Sequence, residues 1–229
     1  MKKISIIIPV YNEEATISRL MKKVLKVKLP YRKEIIVVND GSTDKTGKII
    51  EKFKRIKIKI FTHKTNLGKG AAVKTALRAV TGDVVVIQDA DLEYDPKDYL
   101  KLIKPIAEGK AEVVYGSRSK RLKKSKTEFL FEIGSKIVTW FTNLLYNTNI
   151  TDEPTGYKVF KSSVLKSIKI KSNGFEWEPE VTAKIAKKGI KIYEVPISYS
   201  FRSPKEGKKI KIKDGFIAIL TLIKYRFVD

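Results

Sequence analysis

Val84-Val85-Val86-Ile87-Gln88-Asp89-Ala90-Asp91-Leu92-Glu93-Tyr94-Asp95-Pro96 joins an uninterrupted apolar run to a turn loaded with acids. Four branched aliphatic residues in a row, too few for a helix and followed by a polar turn, fit a strand buried on both faces, as inner strands of a parallel sheet are. In such sheets ligands collect beyond the carboxyl ends of the strands, which is where these acids stand. In extended chain alternate side chains share a face, so Asp89, Asp91 and Glu93 are expected to converge on one point. Three carboxylates repel one another unless a cation lies among them. Hard oxygen donors suit Mg2+ or Mn2+, which keep waters and recruit phosphate oxygens of a substrate. The chemistry implied is metal-assisted departure of a diphosphate. A bare D-x-D is more often a solvated acidic turn, and its placement at the end of a buried strand is what favours a site.

Outward from this stretch, short β-rich runs alternate with helix-like segments, the pattern of an α/β fold with a mostly parallel central sheet covered by helices. Strands are expected at Ile4–Pro9, Glu34–Asn39, Lys57–Phe61, Val84–Asp89 and Val113–Gly116. Helices are expected at Glu13–Val27, Asp44–Arg55, Gly70–Val80 and Pro96–Glu108, the last with Asp95 as its cap and Pro96 in its first turn. Beyond Gly116 come a basic loop, an amphipathic segment Glu128–Tyr146 and a mixed region that ends in a second apolar helix. With no internal repeat and no low-complexity linker, a single domain over 1–229 is expected.

The 229 residues, 42% of them hydrophobic, suffice for one large α/β domain. Lys and Arg number 48 against 25 Asp and Glu, a formal net charge of +23, so the chain attracts polyanions: nucleic acid, anionic lipid or phosphorylated substrates. The absence of cysteine excludes disulfides, thiolate metal sites and a cysteine nucleophile, and the single His63 cannot alone anchor a His-rich metal site or a triad. Any catalytic metal must therefore sit on oxygen. The start, MKKISIIIPVYNEE, has the charges of a signal peptide, but its apolar run meets Pro9, Asn12 and two glutamates where a small-residue cleavage site would stand, so it reads as a first strand. No stretch reaches the roughly 18–20 apolar residues of a membrane span.

Two further loops lie on the same sheet edge: Pro9-Val10-Tyr11-Asn12-Glu13-Glu14 after the first strand and Asn39-Asp40-Gly41-Ser42-Thr43-Asp44 after the second. An aromatic ring beside acids can stack on a base and accept hydrogen bonds from base or ribose. Asn12 and Asp44 suit helix caps and Gly41 a turn, which leaves Tyr11, Glu13 and Asp40 for a nucleoside. Gly68-Lys69-Gly70 lacks the spacing of a P-loop and of a dinucleotide fingerprint.

Taken in order, IIIPVYNEE, VVNDGSTD, Asn66-Leu-Gly-Lys-Gly70 and DADLEYDP resemble family 2 glycosyltransferases, in particular the dolichol-phosphate mannose synthase-like branch. Gly116-Ser-Arg118, Thr155-Gly-Tyr-Lys-Val-Phe160, Phe175-Glu-Trp-Glu-Pro-Glu180 and Glu194-Val-Pro-Ile-Ser-Tyr199 followed by Arg202 agree, so the resemblance covers nearly the whole chain. It implies a GT-A nucleotide-diphospho-sugar transferase fold, with 1–116 as the nucleotide-binding half and 117–229 as the acceptor and membrane-interface half. It assigns Pro9, Tyr11, Glu13 and Asp40 to the nucleotide, and Asp89, Asp91 and Glu93 to metal and diphosphate. Two departures bear on this. Glutamine often stands where Glu93 is, and aspartate where Asn39 is, which leaves Asp40 as the base or ribose contact.

The resemblance also places Arg118 and Arg202 beside the site, where guanidinium forks suit donor diphosphate or acceptor phosphate. With Asp91 they form the expected catalytic set, while Asp152, Glu178 and Glu180 are candidates for orienting sugar hydroxyls. The implied reaction is inverting transfer of a hexose from a GDP-mannose or UDP-glucose type donor to a polyprenyl (dolichyl) phosphate. The nearest rival is a family 2 enzyme acting on a sugar hydroxyl of a glycan or glycolipid, in which one of those carboxylates would serve as base. A nucleic-acid binder leaves the acidic triplet without purpose, and no nucleic-acid partner is expected. A nucleotidyltransferase would share the sheet and the metal but make the sugar nucleotide.

Lys and Arg crowd Arg118–Lys126 and Arg202–Lys213, and each run adjoins an apolar helix: Leu130, Ile133, Ile137, Trp140 or Phe141 and Leu144 in one, Phe216, Ile219, Leu220, Ile223 and Phe227 in the other. Together these fit helices lying in the interface of an anionic membrane. The expected location is the cytoplasmic face, held peripherally or through an integral membrane partner.

Overall fold

The computed structural model describes residues 1–56, 58–118 and 126–228. Much of the first basic run, including Lys120, Arg121, Lys123 and Lys124, and Lys57 at the start of an expected strand, lie outside the described residues.

Among the described residues seven strands, β1 (Lys3–Val10), β2 (Arg32–Asn39), β3 (Lys59–Thr62), β4 (Val84–Ile87), β5 (Val113–Arg118), β6 (Lys158–Lys161) and β7 (Ile192–Ile197), form one sheet in the order β3-β2-β1-β4-β6-β5-β7. The helices are α1 (Ile17–Lys26), α2 (Thr46–Glu51), α3 (Lys69–Leu77), α4 (Tyr99–Ala107), α5 (Lys126–Tyr146), α6 (Ser162–Lys166), α7 (Trp177–Lys187) and α8 (Ile212–Phe227). Every neighbouring pair runs parallel except those that β6 makes with β4 and β5. The expected mostly parallel sheet is thus present, with β6 and β7 supplied by the region that carries no clean strand periodicity.

Period-two alternation sorts the strands onto two faces. Ile4, Ile6 and Ile8 of β1 pack with α1 and α4 through Leu20, Met21, Tyr99 and Leu102. Ile7, with Ile36 and Val38 of β2, packs against α3 and α7 through Ala72, Val73, Trp177 and Val181. Asp95 accepts the Lys97 N–H at 3.0 Å and caps the turn leading to α4, as its position before Pro96 implies. Helix α1 begins at Ile17, later than expected, because the N–H groups of Glu13 and Glu14 are engaged by Thr46 and Asp44 of the neighbouring loop.

Helices α5 and α8 lie outside α7 and meet through Val138, Phe141 and Leu145 on one and Ala218, Ile219, Leu222 and Tyr225 on the other. Phe141 and Ile219, counted above with the exposed stripes, belong to this inner seam. The helices run in the same direction, since Phe131 near the start of α5 approaches Lys208 just before α8, and the Tyr146 hydroxyl donates to the Leu222 carbonyl at the far end. Among the described residues no helix is long and apolar enough to cross a membrane.

Candidate active site

The loops after β1 and β2 are laced together at the carboxyl edge of the sheet. Asn12, at φ 46°, takes the Thr43 N–H on its side-chain oxygen at 2.8 Å, and its own N–H donates to the Ser42 hydroxyl at 3.0 Å. It bridges two loops and does not cap α1. Pro9 is buried in β1 beside Val38 of β2, so it shapes the floor of the edge. Tyr11 is half-buried, with the Lys209 ammonium 5.7 Å from its ring centroid and donating to its carbonyl. The Glu13 carboxylate is buried and doubly paired, to Arg202 at 2.8 and 2.9 Å and to Lys209 at 2.7 Å.

Asp40 is also saturated. Its Oδ1 accepts from His63 Nδ1 at 2.7 Å and Leu67 N at 3.0 Å, and its Oδ2 from Gly68 N at 2.8 Å and Asn66 Nδ2 at 3.0 Å. Four donors fill a carboxylate, so Asp40 folds the Asn66–Gly68 loop against the edge. Gly41 makes room for this: at φ +68° a Cβ there would lie 2.3 Å from the Thr65 carbonyl carbon.

The β4 turn departs from the expected alternation. The strand ends at Ile87, residues 90–93 form a turn and bend, and Leu92 has φ 67°. The three acids therefore do not converge as a period-two row, and among the described residues no three His, Asp or Glu side chains form a metal-ligating group. Asp89 pairs through Oδ1 with Lys69 at 2.6 Å. Glu93 turns away: its Oε1 accepts from Lys208 at 2.7 Å, the Arg202 N–H at 2.8 Å and the Tyr199 hydroxyl at 3.1 Å. In this arrangement Glu93 clamps the segment before α8. Asp91 accepts the Glu93 N–H at 3.0 Å, and no Lys or Arg among the described residues pairs with it. Burial, then the charges of Asp89, Glu93 and Glu13, push its carboxyl up to about 7.

Antiparallel β6 brings its amino-terminal approach to the same edge. Asp152 receives Arg118 Nε at 2.7 Å together with Nη2, and the Arg118 N–H at 3.0 Å. The guanidinium also lies 5.2 Å from the Tyr199 ring centroid. Gly156 backs Asp89 so closely that a Cβ would fall 2.0 Å from its Oδ2. Glu178, in the first turn of α7, meets the same Lys69 at 2.7 Å. Glu180 does not join them. Two residues along a helix lies on roughly the opposite side, and there its oxygens accept Lys171 N at 2.8 Å and Ser172 N at 2.7 Å and pair with Lys184 at 2.9 Å. Burial of Glu180 opposes ionisation, yet those donors hold its carboxyl below the usual range.

A profile of glycosyl transferase family 2 matches residues 5–169. The chain belongs to glycosyltransferase family 2. This glycosyltransferase is 30% identical over 235 residues to the UDP-N-acetylglucosamine–dolichyl-phosphate N-acetylglucosaminyltransferase of Methanococcus voltae, covering 94% of this chain and 92% of that one. It is 30% identical over 212 residues to the dolichol-phosphate mannosyltransferase of Pyrococcus furiosus, covering 90% of this chain and 59% of the relative. Its relatives thus include polyprenyl-phosphate glycosyltransferases. In fold it resembles the GT-A enzyme glucosyl-3-phosphoglycerate synthase of Mycobacterium tuberculosis, a structure with Mn2+, UDP and phosphoglyceric acid, at TM-score 0.75 and 20% identity, over 100% of this chain and 80% of the other.

In this glycosyltransferase the sequence reading gave Lys69 no role at the site and counted Lys208 and Lys209 with the basic run facing the membrane, whereas they pair with Asp89 and Glu178, with Glu93 and with Glu13. The signal for Lys69 was available: a lysine as the first residue of α3 opposes the helix dipole and calls for acids nearby. Although burial works against its charge, Asp89 and Glu178 raise the Lys69 ammonium above its ordinary value.

Proposed function

We propose that the protein is an inverting, metal-dependent transferase that moves a hexose from a nucleoside-diphosphate sugar to a polyprenyl phosphate at a membrane surface. The observation that carries this is Asp91. It is the acid of the β4 turn that the described cations leave uncompensated, ringed by Asp89, Glu93 and Glu13, each of which has an intramolecular cation. A carboxylate in that setting fits a hard divalent cation, with Asp91 as holder, Asp89 beside it and substrate phosphate oxygens filling the remaining positions. Mg2+ or Mn2+ bound there would supply charge for the departing diphosphate.

The remaining steps fall to the chain's own residues. Tyr11 offers a half-exposed ring for a base, on an edge that Asn12, Asp40 and Gly41 fix in shape. Arg118 and Arg202 are held by Asp152 and Glu13, which keeps their guanidinium planes oriented for phosphate. Glu178, anchored by Lys69, is placed to orient sugar hydroxyls. A phosphate monoester has a second pKa of about 6 and arrives largely as a nucleophilic dianion, so no strong general base is needed. Catalysis rests on positioning and charge.

The lipid acceptor is supported by the relatives' names and by the outer surface of α5 and α8. The exposed stripes lie one residue before the seam on α5 (Ile137, Trp140, Leu144) and one residue after it on α8 (Leu220, Ile223). In helices running the same way, opposite rotations of about 100° put both stripes on one side of the pair. Trp140 is 59% exposed, Phe216 67% and Leu220 65%, and Lys213, Lys224 and Arg226 stand exposed on α8. Apolar residues flanked by cations suit the interface of an anionic bilayer.

The test offers GDP-mannose and UDP-glucose with Mn2+, to polyprenyl phosphate in one arm and to an oligosaccharide in the other. Transfer to the lipid phosphate, abolished by chelator, is expected. Transfer to the sugar hydroxyl alone, or full transfer in chelator, would overturn the acceptor or the metal respectively.

A further inference from the structure

Gln88 precedes the acidic turn and is fully buried, and it is the chain's single glutamine. Its Oε1 accepts the hydroxyls of Tyr99 at 2.8 Å and Tyr157 at 2.6 Å. Its Nε2 donates to the Asp89 carbonyl at 2.9 Å. The amide orientation is fixed by chemistry, because a backbone carbonyl only accepts and so the NH2 must face Asp89. Both tyrosines are fully buried, and burial keeps both phenols protonated far above neutral pH, so each remains a donor.

These contacts span three elements. Tyr99 opens α4, Tyr157 leads into β6, and Gln88 itself continues β4, its N–H donating to the Ile7 carbonyl of β1 at 2.9 Å. The backbone leaves the sheet at this residue and enters the turn that carries Asp89 and Asp91. Asp89 is then held on two sides, its carbonyl by Gln88 and its side chain by Lys69 and the close approach of Gly156. With Asp89 fixed, the direction of the next two residues is fixed too. A second layer of this kind sets the geometry of a site more tightly than the contact residues can alone.

We propose that Gln88, gripped by the Tyr99 and Tyr157 hydroxyls, is a positioning residue that aims Asp89 and Asp91 at the diphosphate of the donor. It rests on the transferase reading and touches no substrate itself.

Two variants test it, Gln88→Met and the double variant Tyr99→Phe/Tyr157→Phe, the second keeping all the rings and the glutamine. Four quantities are read: kcat, KM, Mn2+ binding with nucleoside diphosphate, and the side-chain NH2 resonance of protein labelled with 15N-glutamine. With one glutamine in the chain, that spectrum holds a single NH2 pair. Both variants are expected to lose on the order of 10–100-fold in kcat or Mn2+ affinity, the usual effect of removing an outer-layer partner, with KM for the acceptor unmoved. In the double variant the NH2 pair should also shift and exchange faster with solvent. A double variant with an unshifted pair and wild-type kcat would overturn the proposal, as would a folded Gln88→Met protein with wild-type kcat and Mn2+ affinity. Wild-type protein that takes up no nucleoside diphosphate with Mn2+ would instead sink the transferase reading, and this one with it.

Discussion

Asp91→Asn is expected to abolish transfer and, at the same time, to make the protein more stable. The folded carboxyl sits at about 7 against an ordinary 3.8, so between those two values folding takes up a proton. Stability therefore falls as pH rises through that window, and above pH 7 the full penalty is present. About three units at about 1.36 kcal/mol each give an upper limit near 4 kcal/mol, and because Asp91 is only half-buried, solvent screening brings this to about 2 kcal/mol. Asparagine keeps an oxygen for the Glu93 N–H and removes the charge. For a chain of this size the gain corresponds to a Tm roughly 4–8 °C higher at pH 8, shrinking to below about half of that at pH 5. Scanning calorimetry at the two pH values measures it directly. Mn2+ with nucleoside diphosphate should raise the Tm of the wild type and leave that of the variant nearly unmoved. A variant equally or less stable than wild type at pH 8 would refute the view of Asp91 as an uncompensated charge kept for a ligand. Sites that store repulsion in this way trade stability for activity.

The converse is expected of Lys69→Met, which leaves Asp89 and Glu178 without their shared cation and should cost about 3 kcal/mol in urea unfolding, as losing one partner of a buried pair does; unchanged stability would show that the two acids find another partner. The two tryptophans make membrane contact readable, since Trp177 is fully buried while Trp140 lies on the exposed stripe of α5. Fluorescence should shift to the blue on adding anionic vesicles, more strongly at low salt than at high salt because exposed charges are screened, and a spectrum indifferent to vesicles would remove the docking surface.

What the sequence determined by itself was whatever depends on local geometry. The apolar runs placed β1, β2, β4 and β5 because a buried strand must be apolar on both faces, β3 being a largely exposed edge strand, and the turn after Ile87 pointed to the candidate edge because it gathers acids at the carboxyl end of a buried strand. Family membership was legible as well, since its motifs recur in order along nearly the whole chain. Tertiary structure alone decided which charged side chains are spent on one another. Glu13 and Arg202 are 189 positions apart, and Glu93 and Lys208 are 115 apart, yet each pair closes below 3 Å once the sheet sets its strand order. Glu178 and Glu180 read alike as letters, but α7 sends one toward Lys69 and the other toward Lys184. Periodicity follows from the backbone of a single segment, whereas the partner of a carboxylate follows from how segments far apart in the chain are brought together, and that is why only the folded protein sets Asp91 apart from Asp89 and Glu93 as the acid that no cation of the described residues pairs with.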